Sequence, residues 1–96
     1  MYVLVTYDVS TVTQAGKRRL SRVAKACKDY GQRAQNSVFE CQVDPTQFTM
    51  LKSRLLEIID AERDSLRFYF LGANWRRRVE HHGINKILDL EEPLVF

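Results

Sequence analysis

One stretch constrains the fold more than any other: Tyr2 to Val9, reading Tyr-Val-Leu-Val-Thr-Tyr-Asp-Val. Nearly every residue in it is β-branched, aromatic or aliphatic. Strands covered on both faces have this composition, because neither face can be left to water. Val3, Val5, Tyr7 and Val9 point to one side; Tyr2, Leu4, Thr6 and Asp8 point to the other. Asp8 breaks the pattern. A carboxylate at the end of an apolar strand is costly to bury unless it is paired, hydrogen-bonded or bound to a metal.

The 96 residues, 45% of them apolar, suffice for one core, so residues 1–96 read as a single small domain. A core of this size gains from a second copy. No apolar run reaches the roughly 18 residues of a membrane span. Residues 1–9 carry no basic leader and no small-residue cleavage site, so they read as a strand rather than a signal peptide, and the expected location is the cytoplasm. Cys27 and Cys41 fall on the apolar faces of their elements, with no CxxC pair and no zinc spacing. They read as small buried hydrophobes in a reducing compartment.

After the strand, Ser10 to Gly16 reads as a polar loop of small residues. A helix follows from about Lys17 to Tyr30, with Leu20, Val23, Ala24, Cys27 and Tyr30 on one buried face. Gly31 then reads as its C′ glycine. Arg18, Arg22 and Lys25 form a basic stripe of about 10 Å on the opposite face. Arg33 to Gln35 reads as a short strand turning at Asn36-Ser37 into a second one, in which Phe39, Cys41 and Val43 alternate with polar residues. Asp44-Pro45-Thr46-Gln47 is a helix start with a capping-box pair. That helix runs to about Asp60 and buries Phe48, Leu51, Leu55, Ile58 and Ile59. Ser65 to Leu71 is a further strand. The order β-α-β-β-α-β predicts a ferredoxin-like α+β domain, one antiparallel sheet with two helices on one face. Two segments remain, about 76–81 and 87–96. The last is too apolar to leave in water, and we expect an extra C-terminal strand there that packs on a sheet edge or face across a homodimer, making about 76–96 a dimerisation or partner segment.

Seven basic residues stand between Lys17 and Arg33 against one acid, Asp29, although the net charge is only +3. Arg76, Arg77 and Arg78 form a second basic cluster. Such asymmetry suits a polyanion, or simply a solvated helix face. Asp8 is the leading candidate for chemistry: a hard cation such as Mg²⁺ needs only one or two protein carboxylates when phosphates supply the rest. The alternative is an Asp8 that accepts amides of the Ser10–Thr13 loop. One Asp is a poor metal site, but two copies near a two-fold axis would bring two. Thr6, Ser10, Thr11 and Thr13 could hold waters around an ion or serve as loop and cap residues. The amides before the first helix, with Lys17 and Arg18, make a weak phosphate seat. His81-His82 reads as exposed loop, Glu57, Glu62 and Asp64 as a solvated helix end, and Trp75 as a seal on the sheet edge. No Walker A loop, GxGxxG, HExxH, nucleophile elbow or RNP-type motif occurs.

Three stretches carry a resemblance: Val5-Thr6-Tyr7-Asp8-Val9, Lys17-Arg18-Arg19-Leu20, and Tyr30-Gly31-Gln32-Arg33-Ala34-Gln35-Asn36-Ser37-Val38-Phe39-Glu40. Together they resemble the CRISPR-associated protein 2 family, most closely its members from type I subtype C systems. The likeness spans essentially the whole chain. Ala34 stands where that family usually has Val. The resemblance implies a ferredoxin-like homodimer in which Asp8 of each subunit binds Mg²⁺ or Mn²⁺ at the interface, with Tyr7 beside it in the catalytic set. It implies hydrolysis of phosphodiester bonds in RNA or duplex DNA, and a role bridging dimers of the CRISPR integrase on prespacer DNA. It links Tyr7, Lys17, Arg18, Arg33 and Phe39 with nucleic-acid handling, with Arg19 an alternative to Lys17 and Arg18, while the basic stripe and the second cluster add Arg22 and Arg77 as phosphate contacts. Three functions follow as alternatives: a slow metal-dependent nuclease, a scaffold that binds duplex backbone without cutting it, and a dimeric regulator binding a small anion.

Overall fold

A computed structural model describes residues 1–71 and 79–84. The elements are β1 (Tyr2–Asp8), α1 (Gln14–Lys28), β2 (Gly31–Gln35), β3 (Val38–Gln42), α2 (Pro45–Ile58), β4 (Ser65–Leu71) and β5 (Val79–Gly83). The strands form one sheet in the order β2-β3-β1-β4-β5, and every neighbouring pair is antiparallel. The ferredoxin-like order is therefore present, with β5 added beside β4.

Strand parity builds the core. Val3, Val5 and Tyr7 of β1 join Phe39 and Cys41 of β3 and Leu66 and Phe68 of β4 on one face. Val23, Ala26 and Cys27 of α1 and Leu51, Leu55 and Ile58 of α2 close over them. Phe48 packs edge-on against Phe68 and Phe70, with both ring centroids 5.1 Å away. β1 is less symmetric than its composition suggests. Leu4 is buried on the other face, but Tyr2 and Asp8 at its ends are exposed. That face carries no helix among the described residues.

Local chemistry sets the helix ends, and here the sequence reading needs correction. α1 begins at Gln14, not Lys17, because Thr13 caps it: its side chain accepts from the Gly16 amide at 3.0 Å. Gly31 is not a left-handed cap. It opens β2, where a Cβ would stand 2.3 Å from the Glu40 carbonyl oxygen and 2.5 Å from Cys41 Sγ. Glycine is required there by close approach, not by φ. α2 starts as expected: Asp44 accepts from the Gln47 amide at 2.7 Å, and Gln47 accepts from the Asp44 amide at 2.9 Å.

Two further corrections concern polar residues. His81 and His82 lie in β5 opposite Arg67 and Leu66, not in an exposed loop. His81 Nε2 sits 2.9 Å from the Ile84 carbonyl, and His82 Nε2 sits 2.8 Å from Glu80 Oε2. Asp64, read as solvated, is fully buried. Trp75, Arg76 to Arg78 and the apolar C-terminal segment lie outside the described residues.

Candidate functional site

Asp8 and Tyr7 are neighbours in β1 and therefore face opposite ways. Asp8, the last residue of the strand, is exposed on the helix-free face, opposite Ser65 of β4. Thr6 lies two residues before it on the same face and is half-buried. The alternative role for Asp8, acceptor of the Ser10–Thr13 amides, is filled at Ser10 by another residue: the Ser10 amide donates to Asp64 Oδ1 at 3.0 Å.

On the helix side, Tyr7 forms the floor of a cleft of about 430 Å³ between α1 and the β2–β3 hairpin. Lys17, Leu20, Ser21 and Ala24 line one wall, and Arg33, Asn36 and Ser37 the other. The Tyr7 hydroxyl donates to the Asn36 carbonyl at 3.4 Å, and Arg33 Nη1 donates to the same oxygen at 3.0 Å. The Arg33 guanidinium lies 5.0 Å from the centroid of the Phe39 ring, which stacks on Tyr7 at 6.2 Å. Burial and the nearby Cys27 raise the Tyr7 phenol above its ordinary value, and Arg33 opposes them only in part. Tyr7 is thus a neutral donor at physiological pH, not a base. Phe39 is 0% exposed, so it can act on a ligand only by holding Arg33.

The basic residues of α1 divide. Lys17 borders the cleft. Arg18 is exposed, as are Arg22 and Lys25, which border a second hollow of about 260 Å³ with Arg54, Glu57 and Ile58. Arg19 is committed elsewhere. Its Nε donates to Asp64 Oδ2 at 2.8 Å and its Nη2 to Oδ1 at 3.3 Å. The Asp60 amide also donates to Asp64 Oδ2, at 2.8 Å. Burial pushes the Asp64 carboxyl upward, but Arg19 and the Asp60 and Ser10 amides outweigh it and hold the group below the usual carboxylate range. Sequence reasoning missed this pair. Its one signal was the place of Arg19, three residues after Gly16 and four before Val23, on the border of the buried stripe, where a cation needs an acid. Arg77 lies outside the described residues.

The donors suit a hard cation in kind but not in number. Asp8 offers carboxylate oxygens, yet among the described residues no three His, Cys, Asp or Glu side chains group to hold a metal. Among the described residues one chain supplies one exposed carboxylate at this strand end; two chains related by an axis near Asp8 would supply two.

A ferredoxin-like sheet with a basic, aromatic-floored cleft on its helix side and an exposed carboxylate on its other side defines a class of small α+β proteins equipped for anionic ligands. The model of the family described as CRISPR associated protein Cas2 matches residues 1–79. The chain belongs to that family. It is 61% identical over 96 residues to the CRISPR-associated endoribonuclease Cas2 of Chlorobaculum tepidum, with all of both chains covered. It is 58% identical over 96 residues to the CRISPR-associated endonuclease Cas2 of Halalkalibacterium halodurans, again with both chains fully covered. Its fold is similar to the crystal structure of Streptococcus pyogenes Cas2 at pH 6.5, with a TM-score of 0.71 and 65% identity over 83% of this chain and 96% of that one.

Proposed function

We propose that the chain is a slow, metal-dependent phosphodiesterase of CRISPR adaptation, acting on RNA or duplex DNA as a homodimer closed around two Asp8 carboxylates. The observation that carries this reading is the exposure of Asp8 at the end of β1 on the helix-free face. Relatives named endoribonuclease and endonuclease at 61% and 58% identity support it. Asp8 from each copy would hold Mg²⁺ or Mn²⁺. Such an ion offsets charge on a phosphoryl oxygen and lowers the pKa of a bound water. Lys17, Arg18, Arg22 and Arg33 would neutralise backbone phosphates, and Tyr7, bonded to the Asn36 carbonyl that Arg33 also reaches, would support the floor of their cleft. An Asp8 committed to metal is a poor general base, and the histidines are bonded elsewhere: His82 to Glu80, and His81 to the Ile84 carbonyl and the Ser65 hydroxyl. The chemistry is therefore slow.

A cleavage time course on matched duplex DNA and single-stranded RNA tests this, comparing wild type with Asp8→Asn in Mg²⁺ and in EDTA. Cutting that requires both Asp8 and metal is the expected result. Equal cutting by the variant would remove the reading.

One observation favours a second reading, a scaffold that grips duplex backbone and bridges integrase dimers. The basic cleft lies on the sheet face opposite Asp8, so binding is separable from the carboxylate. Duplex affinity should then fall with salt by about 0.9 log units per log unit of salt for each phosphate neutralised, and Asp8→Asn should leave it unchanged. Salt-insensitive affinity would exclude this scaffold.

A further inference from the structure

We propose that Asp64 is the positioning residue for Asp8, an inference that rests on reading Asp8 as the metal-holding carboxylate. Asp8 leaves β1 through Val9, seated in the core, and Ser10, whose amide donates to Asp64 Oδ1 at 3.0 Å. Asp64 directly precedes β4, whose first residue, Ser65, lies opposite Asp8. One side chain therefore ties the chain that follows Asp8 to the start of the strand beside it. α1 presses on the same loop, since a Cβ on Gly16 would stand 2.0 Å from the Ser10 carbonyl oxygen. The Asp64 carbonyl also accepts the Ile84 amide at 2.9 Å, anchoring the chain that leaves β5.

Burying an ion pair is a poor route to stability alone, because an apolar pair of similar volume often does as well. What an apolar pair lacks is direction. The Asp64 carboxylate accepts from Arg19 Nε and Nη2, from the Asp60 amide and from the Ser10 amide, and so fixes the path by which Asp8 exits the sheet. Arg19 aims that carboxylate instead of meeting a phosphate.

The test compares wild type, Asp8→Asn, Asp64→Asn and the double variant Arg19→Met/Asp64→Leu. The double variant removes both charges together and replaces them with apolar side chains. Three quantities are read: Mn²⁺ affinity by paramagnetic titration, the kcat and KM for cleavage, and amide hydrogen exchange at Asp8 to Ser10. In folded Asp64 variants, Mn²⁺ affinity should fall about tenfold, as when a metal ligand loses its support, and kcat should fall with KM unchanged. The Ser10 amide should exchange faster. Loss of packing alone would lower the melting temperature and leave Mn²⁺ affinity intact. Wild-type Mn²⁺ affinity and Ser10 exchange in a folded Asp64 variant would overturn the proposal. If wild type binds Mn²⁺ no better than Asp8→Asn, the metal reading fails, and the exchange data still decide whether Asp64 holds the loop. If neither Asp64 variant folds, the role of Asp64 is architectural and the proposal falls.

Discussion

At the scale of the residue, the most consequential side chain is the one the sequence did not announce. The Asp64 carboxyl is held below its ordinary value, so it lends stability that is fully present above the unfolded pKa of about 3.9 and is lost as pH falls through the lower folded value. Acid unfolding followed by circular dichroism should show this, and Asp64→Asn should flatten the acid limb. At neutral pH that substitution leaves Arg19 with only a neutral partner, and the melting temperature should fall. Tyr7 and Asp8 were legible because strand parity assigns their faces. Asp64 was not, because its partner Arg19 lies 45 residues away and nothing local marks the pairing. Arg33 was legible as a cation. The stacking of its guanidinium on Phe39 depends on the β2–β3 register, which periodicity leaves open.

At the scale of the element, local signals were reliable where they were stereochemical. The box of Asp44 and Gln47 gave α2 its start, and Asp44→Ala should cost about 1 kcal/mol, a drop in melting temperature of about 4–8 °C by calorimetry. The start of α1 was misread because a glycine in a first turn looks like loop. Gly16→Ala settles which effect governs there. Helix propensity favours alanine by about 1 kcal/mol. A Cβ 2.0 Å from backbone oxygen forces the loop to move, at about 1–3 kcal/mol. Thermal melts should therefore show net destabilisation. β5 escaped notice because a five-residue strand reading Val-Glu-His-His-Gly has no hydrophobic alternation. Its place comes from the ladder with β4, and its charged flank from Glu80, bonded to both Lys52 and His82.

At the scale of the whole molecule, the α+β order was readable because each element carries its own period and the elements follow one another closely. What a single chain does with one exposed carboxylate was not readable, since one carboxylate alone does not define a metal site. Sedimentation should give a dimer. Duplex binding measured across salt should lose about one phosphate's worth of slope, about 0.9, when Lys17 or Arg33 is replaced by alanine, and the loss should be alike on all sequences. Arg19→Ala should change that slope little while lowering the melting temperature, because its guanidinium is committed to Asp64.

The opposite facing of Tyr7 and Asp8 also limits how the gene can change. A point substitution in β1 alters one side chain on one face. Deletion or insertion of a single codon within the strand would exchange the two faces, driving the carboxylate into the layer under the helices and the phenol out beside Ser65. β1 should therefore tolerate volume-conserving substitutions but almost no in-frame indels, and the same holds for the tight turn at Asn36-Ser37, whose backbone bonds Tyr7 and Arg33.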